Sequence, residues 1–200
     1  KKGFDEDVVV ATSLVDMYAK CSLLTTANEV FCRILTRNIV SWNALMAGCA
    51  SMGQGHETLS YFEQMQSEGL SPNMVTYLGA LKACGCTGSI NKGKQIHEQI
   101  VGGRFLEKES VLGTSLVDMY AKCGVPIKAQ NVLENLPFRN TVSWNALIAR
   151  HVQYEQGQEA LDCLQEMRKE GLSPNEVTFI SLLKACGSIC AIDKGEQIHD

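Results

Sequence analysis

No run of apolar residues in this 200-residue chain is long and uninterrupted enough to span a membrane. The first residues lack the basic, apolar and cleavage-site succession of a signal peptide. Because Lys1 opens inside what reads as the tail of a repeat, that absence says nothing about location, and a fragment is expected. A basic excess is missing as well: the net charge is −4 and the pI about 5.6, which excludes a strong, non-specific polyanion binder. Any nucleic-acid binding must therefore rest on local chemistry. No stretch alternates apolar and polar residues with period two, which excludes strands. The nine cysteines are an odd number and most sit in apolar helical stretches, so a secreted disulfide framework is excluded and a reducing compartment fits better.

What is present is a duplication. SLVDMYAKC at 13–21 returns at 115–123, VSWNAL at 40–45 returns at 142–147, and GKQIH at 93–97 returns as GEQIH at 195–199. Laying 8–98 on 110–200 needs no gap and matches 46 of 91 positions. Duplicated structural units build solenoids whose function lies on a continuous surface, so a single catalytic pocket is not the expected site. The 45% hydrophobic content suffices for a core.

Each 102-residue block divides into three units, 8–38, 39–73 and 74–109, then 110–140, 141–175 and a truncated 176–200, with 1–7 as the end of a preceding unit. Each unit reads as two helices. In 39–73, Ser41 is a candidate cap, and Trp42, Leu45, Met46 and Cys49 fall at helical spacing. Gly53 and Gly55 break the pattern. A second amphipathic stretch from about Glu57 to Ser67 carries Leu59, Phe62 and Met65, and Gly69, Ser71 and Pro72 end it. The unit 141–175 repeats this with Ser143, Trp144, Leu147, Ile148, Leu161, Leu164, Met167, Gly171 and Pro174. Two-helix units bury both faces only by stacking, which predicts an all-α, right-handed solenoid of roughly twelve helices, its first helices lining the concave side.

Positions 2, 5, 9 and 13 of each unit share one face of the first helix. In 39–73 these are Val40, Asn43, Ala47 and Ser51; in 8–38 they are Val9, Thr12, Asp16 and Lys20; in 110–140 they are Val111, Thr114, Asp118 and Lys122. Position 2 is valine in all six units: Val9, Val40, Val75, Val111, Val142 and Val177. Such a stripe offers an apolar surface to a base plane, hydrogen-bond groups to a base edge and charge to a phosphate. It equally admits a second interpretation, in which valine completes the core between units while Asn and Thr are solvated or cap helices.

The units resemble pentatricopeptide repeats, and the 31-, 35- and 36-residue alternation is similar to the plant subclass of short, standard and long motifs. The resemblance is carried by SLVDMYAKC in the short units, VSWNAL with EGLSPN in the standard ones, and VTYLGALKACG or VTFISLLKACG with GKQIH or GEQIH in the long ones. It implies single-stranded RNA binding, one nucleotide per repeat, read by the fifth and last residues of each motif. Those pairs are Thr12 with Asn38 and Thr114 with Asn140, resembling adenine readers, and Asn43 with Asn73 and Asn145 with Asn175, resembling pyrimidine readers that favour cytosine over uracil. The six valines match the residue that sandwiches the base, and Lys20 and Lys122 match a phosphate-contacting position. The long units depart from the pattern, with Leu78 (paired with Glu109) and Ile180 at position 5, neither able to hydrogen-bond a base. In related proteins long motifs dock small organellar RNA-editing accessory proteins. The resemblance thus implies an RNA-editing or processing factor of mitochondrion or chloroplast, with no cofactor and no membrane partner.

Other candidate sites are weaker. Cys84 and Cys86, or Cys186 and Cys190, with His97 or His199 lack the Cys-x-x-Cys or Cys/His clusters of a structural zinc site. Cys21, Cys123, Cys84 and Cys186 recur at matched positions as small, buried packing residues, and the two histidines recur likewise, with no partner nucleophile. The deaminase-like domain that ends many members of the subclass needs His-x-Glu and Pro-Cys-x-x-Cys. Neither is present: His56-Glu57 and His97-Glu98 are adjacent pairs, so no enzyme activity is expected of this segment. Trp42 and Trp144 precede the stripe-facing Asn by about 100° round the helix and belong to the core. The alternative function is a helical-repeat scaffold for a peptide or helper protein, as in tetratricopeptide repeats, but the Trp-Leu-Gly-Tyr framework of that type is missing.

Overall fold

The computed structural model describes residues 8–107, 110–137, 139–193 and 195. Among them every regular element is helical, as the lack of period-two alternation requires. The chain divides into two compact units, 1–96 and 97–200. The first contains α1 (Val8–Lys20), α2 (Leu24–Arg33), α3 (Ile39–Ser51), α4 (Gly55–Ser67), α5 (Met74–Thr87) and the start of α6 (Ile90–Gly102). The second contains the end of α6, a short 3₁₀ turn (Phe105–Glu107), α7 (Ser110–Lys122), α8 (Pro126–Glu134), α9 (Thr141–Gln153), α10 (Gly157–Lys169) and α11 (Glu176–Ser188). No helix among the described residues is long and apolar enough to cross a membrane.

Within the first unit α1, α3 and α5 pack side by side, with α2 and α4 forming a second layer against them. The second unit repeats the arrangement with α7, α9 and α11 over α8 and α10. The core lies between the layers. In the first unit Trp42, Phe62 and Met65 are fully buried, and the Trp42 indole meets the Phe31 ring edge-on at 4.6 Å. In the second, Trp144, Leu147, Ile148, Leu161, Leu164 and Met167 occupy the corresponding places. The predicted core positions of both standard units are thus buried, tryptophans included.

Helix starts follow a rule that the sequence showed only in part. Ser41 and Ser143 are not the caps. The caps stand three residues earlier, at Asn38 and Asn140, and the serines are the buried third helical residues whose hydroxyls complete the capping boxes. Asn73 and Asn175 cap α5 and α11 in the same way, with Thr76 and Thr178 as partners. An oxygen on the N-cap side chain satisfies one of the backbone donors a helix start leaves open. Four first helices, two in each unit, therefore share one start signal, Asn-x-x-Ser/Thr.

The ends are set by glycine. Gly69 and Gly171 adopt φ of +81° and +74°, a conformation costly for other residues, and release α4 and α10 into the turn that Pro72 and Pro174 follow. Gly55 is not a break. It opens α4 and lies so close to α5 that a Cβ there would stand 2.5 Å from the Thr87 methyl; Gly157 opens α10 in the same relation to α11.

The cysteines divide. Cys84 and Cys186 are buried, as expected, but Cys21 is exposed and Cys123 half-buried. Both fall in the turn just past a helix that ends at Lys20 or Lys122, whereas Cys84 and Cys186 lie within a helix. Burial pushes the thiol of Cys49 up to about 11 and that of Cys163 up to about 12, as expected of groups that pack as apolar residues. His97 is half-buried and its Nδ1 lies 3.0 Å from the Tyr120 hydroxyl. His199 and the 1–7 tail lie outside the described residues.

Candidate nucleic-acid interface

Of the two interpretations of the valine stripe, burial selects the exposed one. Val9, Val40, Val75, Val111, Val142 and Val177 are between 51% and 73% exposed, at the second position of each first helix. The layer beneath them is filled by Trp, Leu, Ala and Cys side chains, so none of the six is needed for the core. Scattered surface valines are ordinary, whereas six at one register are a surface pattern.

Beside each valine of the standard units the structure brings together residues 30 apart in sequence. Asn43 Nδ2 donates to Asn73 Oδ1 at 3.2 Å, and Asn145 Nδ2 donates to Asn175 Oδ1 at 3.0 Å. The same Asn73 and Asn175 oxygens accept the backbone N–H of Thr76 and Thr178. Capping thus turns each cap oxygen inward and leaves the cap Nδ2 with no partner among the described residues. In the 110–140 unit the pair also forms, Asn140 Nδ2 donating to Thr114 Oγ1 at 3.1 Å. In 8–38 it does not. Asn38 Oδ1 takes the N–H groups of Val40 and Ser41, and Thr12 Oγ1 is buried without a partner among the described residues. A buried hydroxyl with no partner carries a desolvation cost that a ligand can relieve.

Lys20 and Lys122 sit at the far end of the stripe, but each already has a partner. Their ammonium groups lie 2.7 Å from Asp16 and Asp118, one turn back. Exposed pairs at this spacing are worth only about 0.3–0.5 kcal/mol, so a phosphate competes with the carboxylate on easy terms. Leu78 is half-buried and Ile180 exposed, and neither has a hydrogen-bonding group; Glu109 lies outside the described residues. Among the described residues no group of three or more His, Cys, Asp or Glu is placed to hold a metal ion.

Two buried residues beneath this surface escaped the sequence reasoning. Thr76 Oγ1 donates to Asn43 Oδ1 at 2.8 Å, and Thr178 Oγ1 donates to Asn145 Oδ1 at 2.6 Å. Their only sequence signal is that the third helical residue alternates, Ser41, Thr76, Ser143, Thr178.

Stacked helix pairs with a recurrent side-chain pair on one face define a helical-repeat protein, and comparison with known proteins agrees. The PPR repeat family model matches residues 37–86 and 139–188, and a PPR repeat model matches 9–39. The chain belongs to the PPR repeat family. A chloroplastic pentatricopeptide repeat-containing protein of Arabidopsis thaliana is 41% identical over 199 residues, covering 100% of this chain and 32% of its own length. A mitochondrial one from the same plant is 36% identical over 191 residues, covering 96% and 34%. The chain thus spans about a third of the length of these curated relatives. Among solved structures, the pentatricopeptide repeat protein PPR10 from maize superposes with a TM-score of 0.75 at 22% identity, over 97% of this chain and 29% of its own. PPR10 in complex with an 18-nt psaJ RNA element gives 0.77 at 21%, over 96% and 29%. These similarities establish the all-α repeat solenoid fold.

Proposed function

We propose that this chain is a sequence-specific single-stranded RNA-binding segment, reading one base per two-helix unit, and the recognition part of an organellar C-to-U editing or RNA-processing factor. The observation that carries the proposal is the recurrence, in two separate units, of an Asn–Asn pair beside an exposed valine. The unit boundaries 8–38, 39–73, 74–109, 110–140, 141–175 and 176–200 are part of the same reading, as is a binding role without catalysis. The chloroplastic and mitochondrial names of the relatives support an organellar site of action, and the PPR10–RNA complex supports RNA as the ligand.

The chemistry of the pair supports a pyrimidine. With both Oδ1 atoms turned inward, the pair offers a base only N–H donors. On its Watson–Crick edge cytosine alone presents two adjacent acceptors, O2 and N3; uracil interposes an N3–H donor. Threonine with asparagine offers a mixed edge, which suits adenine. Reading from protein N-terminus to RNA 5′ end, units 8–175 will prefer 5′-A, pyrimidine, any, A, pyrimidine-3′. The test embeds that sequence and its purine/pyrimidine inverse in a longer single strand and compares affinities at low, stated salt. Equal binding to both removes the specificity.

Lys122→Ala is expected to weaken every RNA alike and to reduce the slope of log affinity against log salt by about 0.7, the value for one phosphate contact on a single strand. A change in base choice instead would place Lys122 at a base edge. The long units, with Ile180 and Leu183 about half exposed, fit a second role, docking of small accessory proteins.

A further inference from the structure

We infer that Thr76 and Thr178, the third residues of their units, orient the preceding Asn pair and so set which pyrimidine it accepts; the inference rests on the base-reading proposal above. Each threonine closes a ring of hydrogen bonds. The backbone N–H of Asn73 donates to Thr76 Oγ1 at 3.2 Å, Thr76 Oγ1 to Asn43 Oδ1 at 2.8 Å, and Asn43 Nδ2 to Asn73 Oδ1 at 3.2 Å. In the other unit the same three steps measure 3.1 Å (Asn175 to Thr178), 2.6 Å (Thr178 to Asn145) and 3.0 Å (Asn145 to Asn175).

A hydroxyl has one proton to give, and a second acceptor is in reach: the cap oxygen of Asn73 at 2.9 Å or of Asn175 at 3.1 Å. That oxygen already takes two N–H donors, one from the threonine backbone and one from the fifth-position amide. The fifth-position Oδ1 takes no other donor among the described residues, so the proton goes there. With its oxygen held, the Asn43 or Asn145 amide gives one Nδ2 hydrogen to the cap oxygen and has only the other to offer a base, so the edge becomes donor-only.

Serine at the same place behaves differently. Ser41 and Ser143 hydroxyls fold back onto the carbonyls of their own caps, Asn38 and Asn140, both at 2.8 Å, and reach neither Thr12 nor Thr114. Threonine has the more restricted χ1, and here its hydroxyl crosses to the preceding unit. The Ser/Thr alternation therefore marks which units have a reader held by the hydroxyl of the next helix start and which do not.

The test measures the relative affinity of the 200-residue chain for RNAs carrying cytosine or uracil at the fifth position, for the natural chain, Thr178→Ser and Thr178→Val. Thr178→Ser is built to fold, because Asn140 with Ser143 already forms that capping box. Both variants are expected to lose about tenfold in cytosine preference at the fifth position, the scale of one oriented hydrogen bond, while preference at the second position, read by the untouched Thr76 ring, stays. Retained preference in both variants, or equal loss at both positions, overturns the orienting role. A natural chain that does not discriminate at either position overturns the base-reading proposal itself, a distinguishable result. In the free natural chain the Asn145 side-chain amide protons should exchange slowly with solvent; fast exchange overturns the ring without any RNA present.

Discussion

Asn175→Asp will move the preference at the fifth RNA base from cytosine towards uracil by about 1–3 kcal/mol. The substitution exchanges one atom group in a fixed setting. Asn175 Oδ1 accepts from the Thr178 N–H and from Asn145 Nδ2, and an aspartate oxygen serves both donors equally well. Aspartate is as good an N-cap as asparagine, and a negative charge at a helix start is favoured by the helix dipole, so α11 keeps its cap. What changes is the outward group: a pair of N–H donors becomes an acceptor oxygen. That oxygen suits the N3–H of uracil and opposes the N3 lone pair of cytosine. Competition between two RNAs differing at that base measures the shift. A uniform fall in affinity, with the ratio unchanged, would mean that the new carboxylate merely repels the strand and that Asn175 does not face a base.

Trp42→Ala will destabilise the chain by about 3–5 kcal/mol, whereas Val40→Ser, two residues away on the same helix, will change stability by no more than about 0.5 kcal/mol. Trp42 is 1% exposed and packs among Phe31, Leu45 and Met65, so its removal leaves a cavity the helices cannot collapse into. Val40 is 59% exposed and fills no such space. Urea unfolding followed by circular dichroism separates the two. Their RNA affinities should invert the order once the folded fraction is matched: Val40→Ser weakens binding through a lost apolar face for the base. Comparable destabilisation by both would return the valines to the core between units.

The fold was legible because its signals are local and repeated. Apolar spacing placed Trp42, Leu59 and Met65 in the core, and Gly69 marked a helix end through a conformation that other residues resist. The helix starts were misplaced by three residues because Ser41 and Asn38 are both good caps. Only the backbone decides which one stands outside the helix, with the other folded back to complete the box. Cys21 looked like Cys84 by its neighbours in sequence, but burial depends on whether a helix continues past it, and α1 stops one residue short.

The site was half legible. Periodicity showed that the six valines share a register, yet exposed and inter-unit positions have the same period, so only the packed layers distinguish them. The pairing of Asn43 with Asn73 came from resemblance rather than from spacing, since residues 30 apart meet only after two helices have folded back. The threonine ring was invisible for the same reason: Thr76 and Asn43 belong to different units.

Asn73 and Asn175 hold a helix start with one side-chain atom and turn another towards the surface. The alphabet available at that position is therefore restricted by folding before any ligand is involved, to residues that can cap: asparagine, aspartate, serine and threonine. Asn-to-Asp exchange is the one step within that alphabet that inverts hydrogen-bond polarity while conserving shape. Retargeting such a protein is then a matter of choosing among a few letters that are nearly silent in stability, so that new recognition can be written without first restabilising the scaffold.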